Sequence, residues 1–205
     1  VILMLMHFLS ELGLTELKPE INSLGCRDCR PLYKERLTEF LRGLDKSVLC
    51  EDCQRRMETS PMRVLDCKVP ACRELTKDAP AIAGHLCPNC AVHPETVLGI
   101  LRREGVDYEI NSRLVRGLDY YSRTTFEVVS TTIGAQGSVA VGGRYDGLVR
   151  DLGGPDVPGV GFACGMERLA MMLRDRAEKN LCTIAVPPRP DFYLAVLDPA
   201  AFDQA

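Results

Sequence analysis

Four pairs of closely spaced cysteines lie between Cys26 and Cys90, and any fold of this chain has to find a use for them. Three are spaced C-x-x-C: Cys26–Cys29, Cys50–Cys53 and Cys87–Cys90; the fourth is Cys67–Cys72. That spacing lets two thiolates reach one tetrahedral zinc, so two pairs complete a site and four pairs make two sites. Disulfides would use the same residues. However, the N-terminal stretch carries no basic leader and no small-residue cleavage site, and a cytosolic chain keeps its thiols reduced. A single redox C-x-x-C leaves the other pairs unexplained, and free buried thiols are the remaining alternative. Pairing Cys26/Cys29 with Cys50/Cys53, and Cys67/Cys72 with Cys87/Cys90, closes the shortest loops and is the expected arrangement. His85 and His93 flank the last pair and offer substitute ligands. An all-thiolate site leaves no open position for a substrate, so zinc here is expected to be structural.

The rest of the chain is ordinary for a globular protein: 205 residues, 46% hydrophobic, 26% charged, net charge −3. That length suits one large domain, or a domain with a smaller insert. No global basic field advertises nucleic acid, so such a contact has to be local. No apolar run is long enough to span a membrane. The sequence does not begin with Met and opens inside an amphipathic pattern, with Ile2, Leu5, Met6, Leu9 and Leu12 at helical spacing. Its last residues start a strand-then-helix unit without completing it. The expectation is therefore a piece of a longer protein.

Periodicity predicts a helix over 1–14 stopped at Gly13, a strand over 15–23 with Leu17 and Ile21 inward, and a helix over 31–43. Leu32, Leu37, Phe40 and Leu41 would form that helix's apolar face. A further helix is expected over 94–104, opened by Pro94 and stopped by Gly105. Then come a strand at 106–111, a strand from Leu114 to Glu127 and onward, a turn over Ile133–Gly137, and the strand SVAVGGRY. A Gly/Pro loop finally leads into a helix beginning at Met166. Strands joined by hairpin-scale loops predict an α+β fold around an antiparallel sheet.

Three segments carry chemistry that a fold alone does not need. In Leu114–Glu127, LVRGLDYYSRTTFE, the residues Arg116, Asp119 and Arg123 interrupt a β-prone run. Charges there cost desolvation unless they are paired or face a polar ligand; the bland alternative is an edge strand with solvated charges. In Ala140–Leu148, AVGGRYDGL, a strand runs into Gly142 and Gly143, which let a ligand approach the backbone closely. In Val160–Leu169, VGFACGMERL, a small-residue strand passes through Gly165 into a helix with Arg168 in its first turns. The helix N-terminus favours an anion and Arg168 adds a forked, permanently charged donor; alternatively Arg168 is a surface charge paired with Glu167 or Asp175. Cys164 and the pair Met171–Met172 are expected in the core.

Together these three segments resemble the histidyl-tRNA synthetases, a class II aminoacyl-tRNA synthetase family. LVRGLDYYSRTTFE is similar to that family's first histidine-specific signature, AVGGRYDGL to the second, and GFACGMERL to the third class II motif. CEDCQRRMETSPMRVLDCK resembles the segment that bacterial members carry between the second and third class motifs. The resemblance implies ATP-dependent activation of L-histidine to histidyl-adenylate, transfer to tRNA(His), Mg²⁺ with the ATP, a cytoplasmic location and a homodimer. It implies that Arg116 sits over the carboxylate and α-phosphate, and that Tyr120, Tyr121 and Tyr145 line the imidazole pocket. Arg168 would grip the ATP phosphates, and Gly142, Gly143 and Gly165 would leave room for substrate. The first and second class motifs have no match here and are expected upstream of Val1; an anticodon-binding domain is expected after Asp191. The implied organisation is catalytic domain at 1–25 and 106–180, a Cys-rich insertion at 26–105, and a linker with the start of the next domain at 181–205. A paralogue that regulates histidine biosynthesis without aminoacylating is the alternative, and a zinc-ribbon nucleic-acid module over 26–90 is a third reading. Retention of the arginine and both tyrosines favours the enzyme.

Overall fold

The computed structural model describes residues 1–117, 120–130, 137–179 and 181–182. Leu118, Asp119, residues 131–136, which include the expected turn except Gly137, and the expected strand from Asp191 onward lie outside the described residues. The chain opens with α1 (Ile2–Glu11), whose Ile2, Leu5 and Leu9 are buried at helical spacing. Gly13 then takes φ +77°, a left-handed conformation that ends the helix without a Cβ penalty. Strand β1 (Leu17–Ser23) follows, with Ile21 buried.

From Gly25 the chain leaves the sheet. Helix α2 (Cys29–Arg42) buries Cys29, Tyr33, Leu37 and Leu41, an i, i+4 stripe. Leu32, expected on that face, is exposed, because the stripe is set by Tyr33 one residue on. Short helical pieces follow, among them α3 (Glu51–Thr59), a 3₁₀ turn at Pro61–Val64 and α4 (Pro70–Leu75). They pack with α2 around Leu37, Leu41, Val64 and the buried thiols of Cys53, Cys67 and Cys72. Helix α5 (Pro88–Arg103) begins six residues before the expected start, with Cys87 as its N-cap and Pro88 in its first turn. Pro94 lies inside it: its missing N–H withdraws one internal hydrogen bond, yet the helix continues. Leu98 and Leu101 at its far end return the chain to the sheet.

The sheet has five strands in the order β2-β1-β3-β4-β5, where β2 is Glu109–Ile110, β3 Ser122–Ser130, β4 Ser138–Arg144 and β5 Val160–Cys164. Three of its pairings are antiparallel; β1 and the two-residue β2 run parallel, so the sheet is mixed. The expected strand from Leu114 begins only at Ser122. The preceding loop is held by Asn22 of β1, whose amide donates to the carbonyls of Leu114 (2.9 Å) and Ser112 (3.2 Å). At the start of β3, Arg123 takes φ +49° where the register with β4 shifts, which marks a bulge. The bulged residue pairs with the end of β1: its N–H donates to Gly25 (2.8 Å) and its carbonyl accepts from Leu24 (2.6 Å).

A single-turn helix α6 (Leu148–Asp151) lies between β4 and β5 in the chain. One face of the sheet carries Ile21, Phe126, Val128 and Ala140, and packs on α1, α5 and helix α7 (Met166–Glu178). Of the two methionines expected in the core, Met172 is buried there and Met171 is exposed; they are neighbours on a helix and face apart. Cys164 packs against this core as expected. The opposite face carries Glu20 and Glu127, which stand directly across from each other in the β1–β3 register. No helix of the described residues is long and apolar enough to cross a membrane.

Candidate functional site

The polar face of the sheet is where Arg116, Tyr120, Tyr121 and Tyr145 gather. Tyr120 and Tyr121 stack at 4.8 Å between ring centroids, with an interplanar angle of 29°. Tyr145, just past β4, stands edge-on to both, at 6.0 Å from Tyr120 and 6.3 Å from Tyr121. Such offset and edge-to-face contacts match positive ring edges to negative faces. The Arg116 guanidinium lies 5.7 Å from the Tyr121 centroid, within cation–π range. It is 18% exposed, its Nη1 is 3.6 Å from Glu127 Oε2, and its Nε is buried with no hydrogen-bond partner among the described residues. Arg116 therefore does not project into open water. It is a half-held cation with a donor to spare, beside three phenols.

Burial, and then the neighbouring Tyr120, raise the Tyr121 pKa above the ordinary tyrosine value, so its hydroxyl stays protonated at neutral pH. A neutral phenol both donates and accepts.

The glycines have a different use from the one expected. At Gly142 an added Cβ would sit 2.5 Å from the Gly161 carbonyl and would overlap the Phe126 ring, so the core fills that space, not a ligand. At Gly143 it would meet the Thr124 carbonyl at 2.7 Å and Tyr121 at 2.9 Å. At Gly161, on β5, it would meet the Tyr145 hydroxyl at 2.5 Å. Bare backbone on β4 and β5 thus lets the two tyrosine rings lie down on the sheet.

Arg168 and Gly165 stand apart from the tyrosines. Gly165 caps α7, its N–H donating to Val139 (3.2 Å). Arg168 donates to the Ser138 carbonyl and lines a cleft of about 580 Å³ on the polar face. Glu127, the partner of Arg116, lines the same cleft, together with Glu20, Asp66, Asn111 and Arg113. Sequence reasoning missed these five. Alternation was the available signal: Glu127 sits between inward Phe126 and Val128, so its carboxylate has to face the other side. Glu20 opposite accepts from Asn111 at 2.5 Å, and Arg113 donates to Thr76 at 2.8 Å through each of two nitrogens. The Asn111 amide at Glu20 and the Arg116 guanidinium at Glu127 offset two facing carboxylates that would otherwise repel.

The cysteines form two groups within which the sulfurs all lie within 4.8 Å of one another: Cys26, Cys29, Cys87 and Cys90, and Cys50, Cys53, Cys67 and Cys72. Each is a donor set that could hold a metal ion. The pairing differs from the shortest-loop expectation. Helix α2 has 14 residues, so it carries the chain about 21 Å from the first pair before Cys50 is reached. The start of α5 instead brings Cys87 and Cys90 back. Neither histidine belongs to a group: His85 Nδ1 is 3.3 Å from the Ala81 carbonyl, and His93 Nε2 is 3.0 Å from Thr124 Oγ1.

The family model described as histidyl-tRNA synthetase matches residues 68–169, a stretch that begins just after Cys67 and runs through Cys72, Arg116, Tyr145 and Arg168. A histidine–tRNA ligase of Nitratidesulfovibrio vulgaris is 64% identical over 204 residues, covering 100% of this chain and 47% of the relative. The chain belongs to the histidyl-tRNA synthetase family. A histidine–tRNA ligase of Oleidesulfovibrio alaskensis is 63% identical over 198 residues, 97% of this chain and 46% of the relative. The crystal structure of apo S. aureus histidyl-tRNA synthetase superposes with a TM-score of 0.64 at 34% identity, over 86% of this chain and 43% of that one. This histidyl-tRNA synthetase-family chain thus spans about half the length of the curated relatives it matches.

Proposed function

We propose that this chain is the catalytic part of a histidine–tRNA ligase. The enzyme joins L-histidine to ATP as histidyl-adenylate, releasing pyrophosphate, and passes the histidyl group to the 3′ end of tRNA(His). The observation that carries the reading is the guanidinium of Arg116 held beside Tyr120, Tyr121 and Tyr145. A histidine has an imidazole that needs donors and acceptors, and a carboxylate that gains charge during attack on the α-phosphate. The phenols suit the first, since hydroxyls that read both ring nitrogens reject apolar analogues strongly. Arg116 suits the second: a cation fixed before reaction stabilises developing charge without reorganising. At 3.6 Å its contact with Glu127 is long for a strong ion pair, which leaves the guanidinium ready to exchange partners.

Arg168 and the α7 N-terminus at Gly165 are assigned to the ATP phosphates; Mg²⁺ bound with ATP would neutralise charge on those oxygens. Gly143 serves the site by seating Tyr121, and Gly142 by seating Phe126 beneath it. Residues 1–25 and 106–180 form the catalytic sheet with its helices, 26–105 the inserted Cys-rich segment, and 181–205 the link to a following domain. A homodimer in the cytoplasm completes the reading. Full-length protein should exchange labelled pyrophosphate into ATP only when L-histidine is present. Exchange that prefers another amino acid, or that ignores histidine, would defeat the assignment.

A further inference from the structure

We propose that the inserted segment binds two zinc ions, one at Cys26, Cys29, Cys87 and Cys90 and the other at Cys50, Cys53, Cys67 and Cys72, each tetrahedral and structural. A single zinc with four sulfurs at about 2.3 Å places those sulfurs about 3.8 Å apart along each tetrahedral edge. The observed separations are 3.6 Å for Cys26–Cys29, 4.0 Å for Cys26–Cys87 and 3.8 Å for Cys50–Cys67. Disulfides would require about 2.05 Å, so these contacts are nearly twice too long for a bond. A four-iron cluster takes one cysteine per iron and a two-iron cluster two, and thiolates on separate irons lie further apart than four thiolates on one ion. Four thiolates converging on a point form the tetrahedral all-sulfur set of structural zinc, and metal analysis separates zinc from a single iron held by the same sulfurs.

Each group also carries a supporting backbone donor. The Cys87 N–H points at Cys29 Sγ (3.1 Å), and the Cys50 N–H at Cys72 Sγ (3.2 Å). Donors aimed at ligand sulfur orient it and stabilise its negative charge. Gly25 takes φ +64°, and a Cβ there would lie 2.7 Å from that of Cys29, so the turn entering the first group has room only for glycine.

The two sites do different mechanical work. The first joins the exit of the segment from β1 to its return at the start of α5, clasping it at the base. The second ties α3, the 3₁₀ turn at Pro61–Val64 and α4 to one another. Those helices have nine, four and six residues, too short to be stable alone. A small unit with little regular structure needs such cross-links in place of a large core. The second site also fixes a contact with the histidine site: the Arg63 guanidinium packs where a Cβ on Gly117 would be, beside Arg116.

Metal analysis of purified full-length protein should find two zinc ions per chain, and X-ray absorption should find sulfur-only coordination at about 2.3 Å. Double variants then test the grouping. Cys26→Ser with Cys87→Ser should leave one zinc, and Cys26→Ser with Cys50→Ser should leave none. The opposite pattern would overturn the grouping. If the variants do not accumulate in soluble form, stepwise metal removal from the wild type with mapped alkylation gives the same answer. Cys26, Cys29, Cys87 and Cys90 should become reactive together. Iron in place of zinc, oxygen or nitrogen in the coordination shell, or eight thiols freely reactive in the protein as purified would each overturn the proposal.

Discussion

Gly161→Ala perturbs the candidate histidine pocket without changing the identity of any side chain that would bind substrate. The new methyl would begin 2.5 Å from the Tyr145 hydroxyl. Non-bonded contact lies near 3.5 Å, so the hydroxyl has to retreat by about 1 Å. Tyr145 is a rigid ring edge-on to Tyr120 and Tyr121, so the retreat opens the aromatic group itself. A displacement of that size in a group that orients substrate can cost about 10²-fold in rate. Histidine-dependent pyrophosphate exchange by the full-length protein is the assay, with KM for histidine and kcat determined separately. The expected result is a loss of about 10-fold to 10²-fold in kcat/KM for histidine, with KM for ATP nearly unchanged. Gly99→Ala is the control: it lies in α5 with none of the described residues within 4 Å of its missing Cβ, so it should keep full activity and gain about 0.4–1 kcal/mol of stability. Wild-type kcat/KM in Gly161→Ala would refute the placement of Tyr145 in the pocket.

Gly142→Ala should act on the fold instead of the pocket. Its methyl meets the Phe126 ring and the Gly161 carbonyl, neither of which can swing away, so the cost should be about 1–3 kcal/mol in denaturant unfolding. An unchanged midpoint would show that the strands can part there. His93 should make stability depend on pH. Burial, followed by the positive charges of Arg144 and Arg123, lowers its pKa below 6.5, against a smaller upward pull from Asp146. The unfolded chain then binds the proton more readily, so this contribution is full above about pH 6.5 and is lost as pH falls through the lowered folded value. His93→Gln should flatten that part of the unfolding profile; an identical profile in the variant would remove His93 from the account.

Much of the architecture was legible because it rests on spacing. Ile2, Leu5 and Leu9 marked α1, Gly13 its end, and the apolar run of β3 its strand. What escaped depended on three-dimensional return. Loop length alone groups the first two cysteine pairs, whereas α2 leads the chain away from the first pair and α5 brings Cys87 and Cys90 back to it. Pro94 looked like a helix start because proline favours first turns, but Cys87–Pro88 provides the same signal six residues earlier. The β-prone residues of Leu114–Tyr121 read as strand. Asn22 instead captures the Leu114 carbonyl, and the positive φ of Arg123 postpones pairing. Within the site, the charged and aromatic residues were visible as exceptions to a core pattern. The glycines were visible too, but what fills the space beside them is set by a partner strand, which no local pattern records.

The measurement closest to the central claim is Arg116→Ala in the full-length protein, assayed by histidine-dependent pyrophosphate exchange alongside equilibrium binding of histidine. Loss of a preorganised donor to the developing charge should lower kcat by about 10² to 10³, with histidine binding only modestly weakened. Exchange within a few-fold of wild type would mean that the guanidinium beside the three tyrosines does not meet the reacting carboxylate.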